Sequence, residues 1–106
     1  RQLATEGLAE MGIVVDEKKN ALAKCRNAEL DITGAGSKVK VFVVPTDEEL
    51  VMTEDAFALM KGSYDVHTNY HYYFENRDYV NKTRAAGLEK DLAKKPWLKD
   101  IIAQVP

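Results

Sequence analysis

The stretch Ser37–Met60, SKVKVFVVPTDEELVMTEDAFALM, constrains the fold more than any other part of the chain. Val39, Val41 and Val43 alternate with Lys38, Lys40 and Phe42, the period of two that marks a strand. At Phe42-Val43-Val44 the run becomes continuously apolar, as it does in a strand covered on both faces. Pro45 has no N–H to donate and ends the ladder. Thr46 and Glu49 then have the spacing of a capping box, and Leu50, Val51, Phe57, Leu59 and Met60 supply the apolar positions of a helix. A buried strand feeding a helix, with Asp47, Glu48 and Glu49 in the first turn, forms a junction of the kind where open α/β sheets gather ligands. On residue chemistry alone the three acids complement the helix dipole, each contributing roughly 0.3–1 kcal/mol.

The rest of the chain is read against that junction. Residues 1–11 carry Leu3, Leu8 and Met11 on one stripe and predict a helix, with Gly12 placed to end it in the left-handed region. Ile13-Val14-Val15 reads as a short strand, and Asp16 to Asn20 as a polar turn. Ala28, Leu30 and Ile32 alternate with Glu29 and Asp31, the pattern of a half-buried strand. The glycine pair in Thr33–Ser37 leads from one strand into another. A phosphate cradle would lead into a helix N-terminus, so a hairpin turn is expected.

Beyond Met60 the character changes, with a break near Lys61–Ser63 and Gly62 as a helix stop. All five tyrosines and both histidines lie between Ser63 and Tyr79. His67 and His71 have the i, i+4 spacing that can hold zinc on a helix, but no third ligand accompanies them and ordinary histidines are expected. The aromatics could stack bases, yet few cations are interleaved with them. An arm packing on the α/β body or on a partner fits better. From about Asn76 to Lys94 the composition is helical, with Leu88 and Leu92 one turn apart. Pro96 is suited to open a last short helix that buries Trp97, Leu98, Ile101 and Ile102.

A chain of 106 residues can bury a workable core. The net charge of -2 and a pI near 5.7 give no electrostatic reason to expect nucleic acid or an anionic membrane as partner. No apolar run approaches the roughly 20 residues of a bilayer span. The start, RQLATEGLAEM, has neither a secretory signal nor an initiator methionine, which suggests a cut or truncated beginning. Cys25 is the single cysteine, which fits a reducing intracellular compartment, cytoplasm or organellar matrix. With Lys24 and Arg26 beside it but no positioned base, a spectator thiol is expected.

The first sixty or so residues resemble the C-terminal part of the acetate kinase family of short-chain acyl kinases. The likeness is carried by Arg1, Gly7-Leu8, Gly12-Ile13, Asp16, Lys19-Asn20, Arg26, Glu29 and Ile32, and above all by Ser37 through Leu50, SKVKVFVVPTDEEL. The resemblance implies a partial sugar-kinase/actin-like (ribonuclease-H-like) α/β domain over residues 1–61, ordered helix-strand-strand-strand-helix. Residues 62–106 would follow as an aromatic-rich, helical extension or docking arm that does not match the family. It also implies phosphoryl transfer from ATP to acetate with magnesium, in a homodimer or larger protein assembly. The family's metal-holding glutamate falls on Glu48, with Glu49 left as a cap. One carboxylate beside the nucleotide phosphates suits magnesium, which keeps several of its waters.

The departures from the family matter too. Asp47 stands where the family usually has asparagine, and Met52-Thr53-Glu54 where it has Ile-Ala-Arg. Asn27 replaces a glycine, a mild change at a position of positive φ. Arg1 matches an arginine just downstream of the family's nucleotide loop. The loop, the transition-state arginines and histidine, and the catalytic aspartate are therefore expected upstream. No residue of this chain is assigned as nucleophile, base or arginine finger, the nucleotide contacts are unassigned, and the chain alone is expected not to turn over acetate. The alternative is a non-catalytic subunit derived from such a kinase, its 62–106 tail docking on partner proteins.

Overall fold

The structure, a computed structural model, describes residues 1–66 and 69–104. The chain forms two compact units: Arg1–Pro45 with the chain from Lys82 onward, and Thr46–Asn81.

The first unit is centred on β1 (Leu30–Asp31) and β2 (Phe42–Val43), an antiparallel pair with Leu30 opposite Val43 and Asp31 opposite Phe42. The Ile32 N–H donates to the Val41 carbonyl at 2.9 Å, and the Val41 N–H to the Thr33 hydroxyl at 2.8 Å. The glycine pair between them is thus a hairpin connection. Ala28, Leu30 and Ile32 are buried while Glu29 and Asp31 are half-buried, as their alternation requires.

Two expectations for the sheet are corrected. Ile13-Val14-Val15 is not a strand; it contributes one bridge, Val15 to Thr33, because the Gly12 turn and the Asp16 cap leave three residues for a ladder. The third line of chain comes from the far end of the sequence instead. Leu30 is bridged by Ile102 as well as paired with Val43, and the Asp31 N–H donates to the Ile101 carbonyl at 2.7 Å. Nor is the Val39–Val44 strand covered on both faces. Val41 and Val43 pack on the core, whereas Phe42 and Val44 are 46% and 60% exposed, so the alternation simply continues through the apolar run.

The expected helix over residues 1–11 is broken by Gly7, at φ 80°, into α1 (Gln2–Thr5) and a 3-10 turn (Leu8–Met11). Leu3 and Met11 are left exposed. Asp16 to Asn20 is not a turn but the start of α2 (Glu17–Leu22), because the Asp16 carboxylate caps it by accepting the Lys19 N–H at 2.9 Å. At the other end of α2 the Arg1 guanidinium donates to the Asn20 and Ala23 carbonyls at 2.8 and 3.0 Å. Asn27 needs no positive φ, which among the described residues only glycines adopt.

The core of this unit is Ala23, Ala28, Leu30, Ile32, Leu98 and Ile101. Leu88 and Leu92 of α4 (Lys82–Lys94) pack against it. Pro96 opens a 3-10 turn, Pro96–Asp100, which buries Leu98. The expected burial of Trp97 does not occur, and the residue is 42% exposed. With about three residues per turn, Leu98 and Ile101 share the inner face and Trp97 falls off it.

Two predictions arise here. A Cβ on Gly34 would lie 2.8 Å from Val14 Cγ1 and 3.0 Å from the Val15 carbonyl carbon. Gly34→Ala should therefore cost about 1–3 kcal/mol, read as a lowered urea midpoint at unchanged m-value. The Asp31 carboxyl is held down to about 2 by hydrogen bonds from Thr33, with help from the Lys40 ammonium at 3.1 Å, against the opposing effect of burial. Its folded value lies below its unfolded value, so its contribution is present above about pH 4 and is lost as pH falls towards 2. Asp31→Asn should flatten the acid limb of a stability–pH profile, and an unchanged limb would assign acid sensitivity to other carboxylates.

The second unit is α3 (Glu48–Met60) with the segment that follows it. Gly62, at φ 67°, ends α3 as its position suggested. Its N–H reaches the Leu59 carbonyl at 3.1 Å and the Ser63 N–H reaches that of Ala58 at 2.9 Å, the paired bonds of a Schellman motif. Tyr72 is 3% exposed, stacks on Phe74 at 5.0 Å, and donates its hydroxyl to Asp55 at 2.8 Å. That bond, first among the causes, pushes the phenol up to about 12. The Tyr73 N–H donates to Glu54 at 2.9 Å. The segment expected as a docking arm, 62–106, is thus divided. Its first part folds on α3, and α4 with the Pro96 turn joins the core of the first unit.

Candidate functional site

The candidate site is the acidic start of α3. The expected Thr46–Glu49 capping box is not formed. Asp47 is the N-cap, its Oδ1 accepting the Leu50 N–H at 3.2 Å, because aspartate competes better for that position than threonine. The shift by one residue puts Leu50 at the third helical position, so Glu49 cannot complete a box. The other Asp47 oxygen accepts from the Asn81 side chain at 3.5 Å, a partner that no local sequence signal announces. Asp47 therefore serves as a cap, a task that asparagine performs as well.

This leaves Glu48 and Glu49 as exposed carboxylates in the first turn. Among the described residues neither side chain makes a hydrogen bond or ion pair, and no group of three or more His, Cys, Asp or Glu side chains converges as a metal cage. A lone exposed carboxylate could serve an ion such as magnesium, which takes one or two carboxylates beside waters and phosphate oxygens.

The other residues singled out from the sequence take structural places. The Cys25 thiol donates to Asp91 at 3.4 Å beside the Asn27 amide at 2.8 Å, and these bonds hold the Asp91 carboxyl below its usual range. His71 pairs with Glu75 at 2.9 Å. His67 lies outside the described residues, so the spacing of the two histidines receives no geometry. Glu54 accepts the Tyr73 N–H.

The sequence model described as the Acetokinase family matches residues 1–54. The chain is 55% identical over 102 residues to a protein named acetate kinase from Treponema pallidum, covering 96% of this chain and 23% of that protein. It is 46% identical over 82 residues to an acetate kinase from Geobacter sulfurreducens, covering 77% of this chain and 20% of that one. An acetate kinase from Borrelia recurrentis is 41% identical over 63 residues, or 59% of this chain and 15% of its own length. No solved structure matches the chain. The matched stretches belong to proteins named as kinases, and the chain spans less than a quarter of the length of these relatives. The chain belongs to the acetokinase family, which implies the sugar-kinase/actin-like α/β class. A match of 102 residues also runs past Met60, which corrects the expectation that the likeness ends with α3. The family model stops at residue 54. No helix among the described residues is long and apolar enough to cross a membrane.

Proposed function

We propose that this chain is the C-terminal portion of an acetate kinase that moves the γ-phosphoryl group of ATP to acetate and back, and that Glu48 supplies a carboxylate to the magnesium of the Mg–ATP complex. The observation that carries the reading is the run Ser37–Leu50, which places a free, exposed Glu48 directly after a capping Asp47. Similarity to proteins named acetate kinase supports the activity, and each relative described above bears that name. None of them favours a non-catalytic subunit.

Magnesium, when bound, would be held in part by the Glu48 carboxylate and would supply positive charge to a transfer that depends on positioning and electrostatics. The chain's own part is simpler. Asp47 fixes the first turn of α3, and Glu48 projects from that turn with no competing partner among the described residues. Magnesium-dependent transfer is proposed for the complete polypeptide, as a homodimer or larger assembly. The test is Glu48→Ala in a polypeptide in which this chain replaces the matched residues of the Treponema relative. Activity and magnesium affinity should both fall.

A further inference from the structure

Helix α3 carries apolar side chains on the face turned away from its own unit. The face turned towards the rest of its own unit carries Val51, Glu54, Asp55 and Ala58, at successive three- and four-residue steps. Its two carboxylates are engaged there, Asp55 by the Tyr72 hydroxyl and Glu54 by the Tyr73 N–H. The outward face carries Met52, Ala56, Phe57, Leu59 and Met60. Of these Met52 is 70%, Phe57 57% and Met60 85% exposed. Met52, Thr53, Ala56, Phe57 and Met60 line a shallow groove of about 390 Å3. An ordinary surface helix puts its charges in water and its apolar stripe inside. Here the segment after α3 engages Glu54 and Asp55 and leaves an apolar face outward.

We infer that this outer face of α3 is an interior packing surface of the kinase, covered by an apolar face of the part of the acetate kinase polypeptide outside the residues matched here. The choice of occupant rests on two quantities. The relatives are more than four times as long as the stretch they share with this chain, since that stretch is 23% of the Treponema protein. The stripe offers only a few hundred Å2, roughly, against about 800 Å2 per partner for a stable specific dimer. A patch of that size is too small to hold two free copies together. It suffices between parts of one chain, where the cost of association is already met by the covalent link. The inference rests on family membership and not on the magnesium role of Glu48.

The test uses the methyl groups of the three methionines, Met11, Met52 and Met60, all exposed in this chain. With carbon-13-labelled methyls, a soluble gadolinium chelate should broaden all three signals in the 106-residue chain. When the chain replaces the matched residues of the Treponema relative, Met52 and Met60 should lose at least two-thirds of that broadening. Phe57→Asp in the joined polypeptide should restore it. Full broadening of Met52 and Met60 in the joined polypeptide overturns the inference. Protection in the short chain alone also overturns it: if it grows with concentration the occupant is a second copy, and if it does not the occupant lies within this chain. Should Phe57→Asp fail to fold when joined, peroxide oxidation of Met52 and Met60 in the two unsubstituted proteins, read by mass spectrometry, gives the same contrast. None of these readouts requires phosphoryl transfer, so they stand apart from the Glu48 experiment.

Discussion

Leu98→Ala is expected to destabilise the protein by roughly 2–5 kcal/mol, and Leu30→Ala by a similar amount. Among the described residues these are the two large side chains with no exposed surface. Leu30 lies at the centre of the small sheet, bridged on one side by Val43 and on the other by Ile102. Leu98 reaches the same cluster from the Pro96 turn, far away in sequence. Truncating either leaves a cavity that a rigid sheet and a proline-started turn cannot collapse around. Since a small domain has about 5–15 kcal/mol in total, either change removes a large fraction of its stability. The two share one core, so the double variant should lose less than the sum. Trp97 is half-exposed beside Leu98 and can report unfolding in urea by its fluorescence. Leu3→Ala is the control: Leu3 is 85% exposed and should change stability by no more than about 0.5 kcal/mol. A neutral Leu98→Ala would mean that the chain's end does not pack against β1.

The same residues show what was legible in the sequence. Alternation at Ala28, Leu30 and Ile32 states which side of β1 is inside, because a strand has only two faces. Gly12 and Gly62 mark helix ends because left-handed backbone is cheap only for glycine. Local chemistry failed where two neighbours compete for one role. Thr46 and Asp47 could each cap α3, and the difference between them is a few tenths of a kcal/mol. Long-range pairing was hidden altogether. Nothing local in Ile101-Ile102-Ala103 reveals that it lies along β1, and nothing in Glu54-Asp55 reveals that tyrosines 72 and 73 will claim the carboxylates. The apolar run Phe42-Val43-Val44 looked doubly covered because hydropathy alone does not record that Val43 faces the core while Phe42 and Val44 face away from it. For the candidate site, residue chemistry alone gave three helix-start acids, and the resemblance carried by the Pro-Thr-Asp-Glu-Glu-Leu run singled out Glu48. Its freedom from partners came only from seeing where its neighbours' bonds go.

Glu48→Ala in the joined polypeptide should lower magnesium-dependent transfer to acetate at least about 100-fold, with a raised magnesium requirement as the diagnostic change. A carboxylate on magnesium contributes charge and a fixed oxygen, and neither is replaced by a methyl group. Glu48→Gln keeps the size and loses the charge, and should fall nearly as far. Glu49→Ala should stay within a few-fold, because one carboxylate beside the phosphates meets the need of the ion. Asp47 separates the two explanations of any loss. Asp47→Asn preserves the cap and should be close to neutral, whereas Asp47→Ala removes it at about 1 kcal/mol and frays the turn that carries Glu48. If Glu48→Ala leaves the magnesium titration midpoint unchanged while Asp47→Ala shifts it, the glutamate is a helix-start acid and the ion is held elsewhere. If Glu48→Ala shifts the midpoint and excess magnesium restores part of the rate, the loss lies in holding the metal, since a misfolded helix start would not be rescued by the ion.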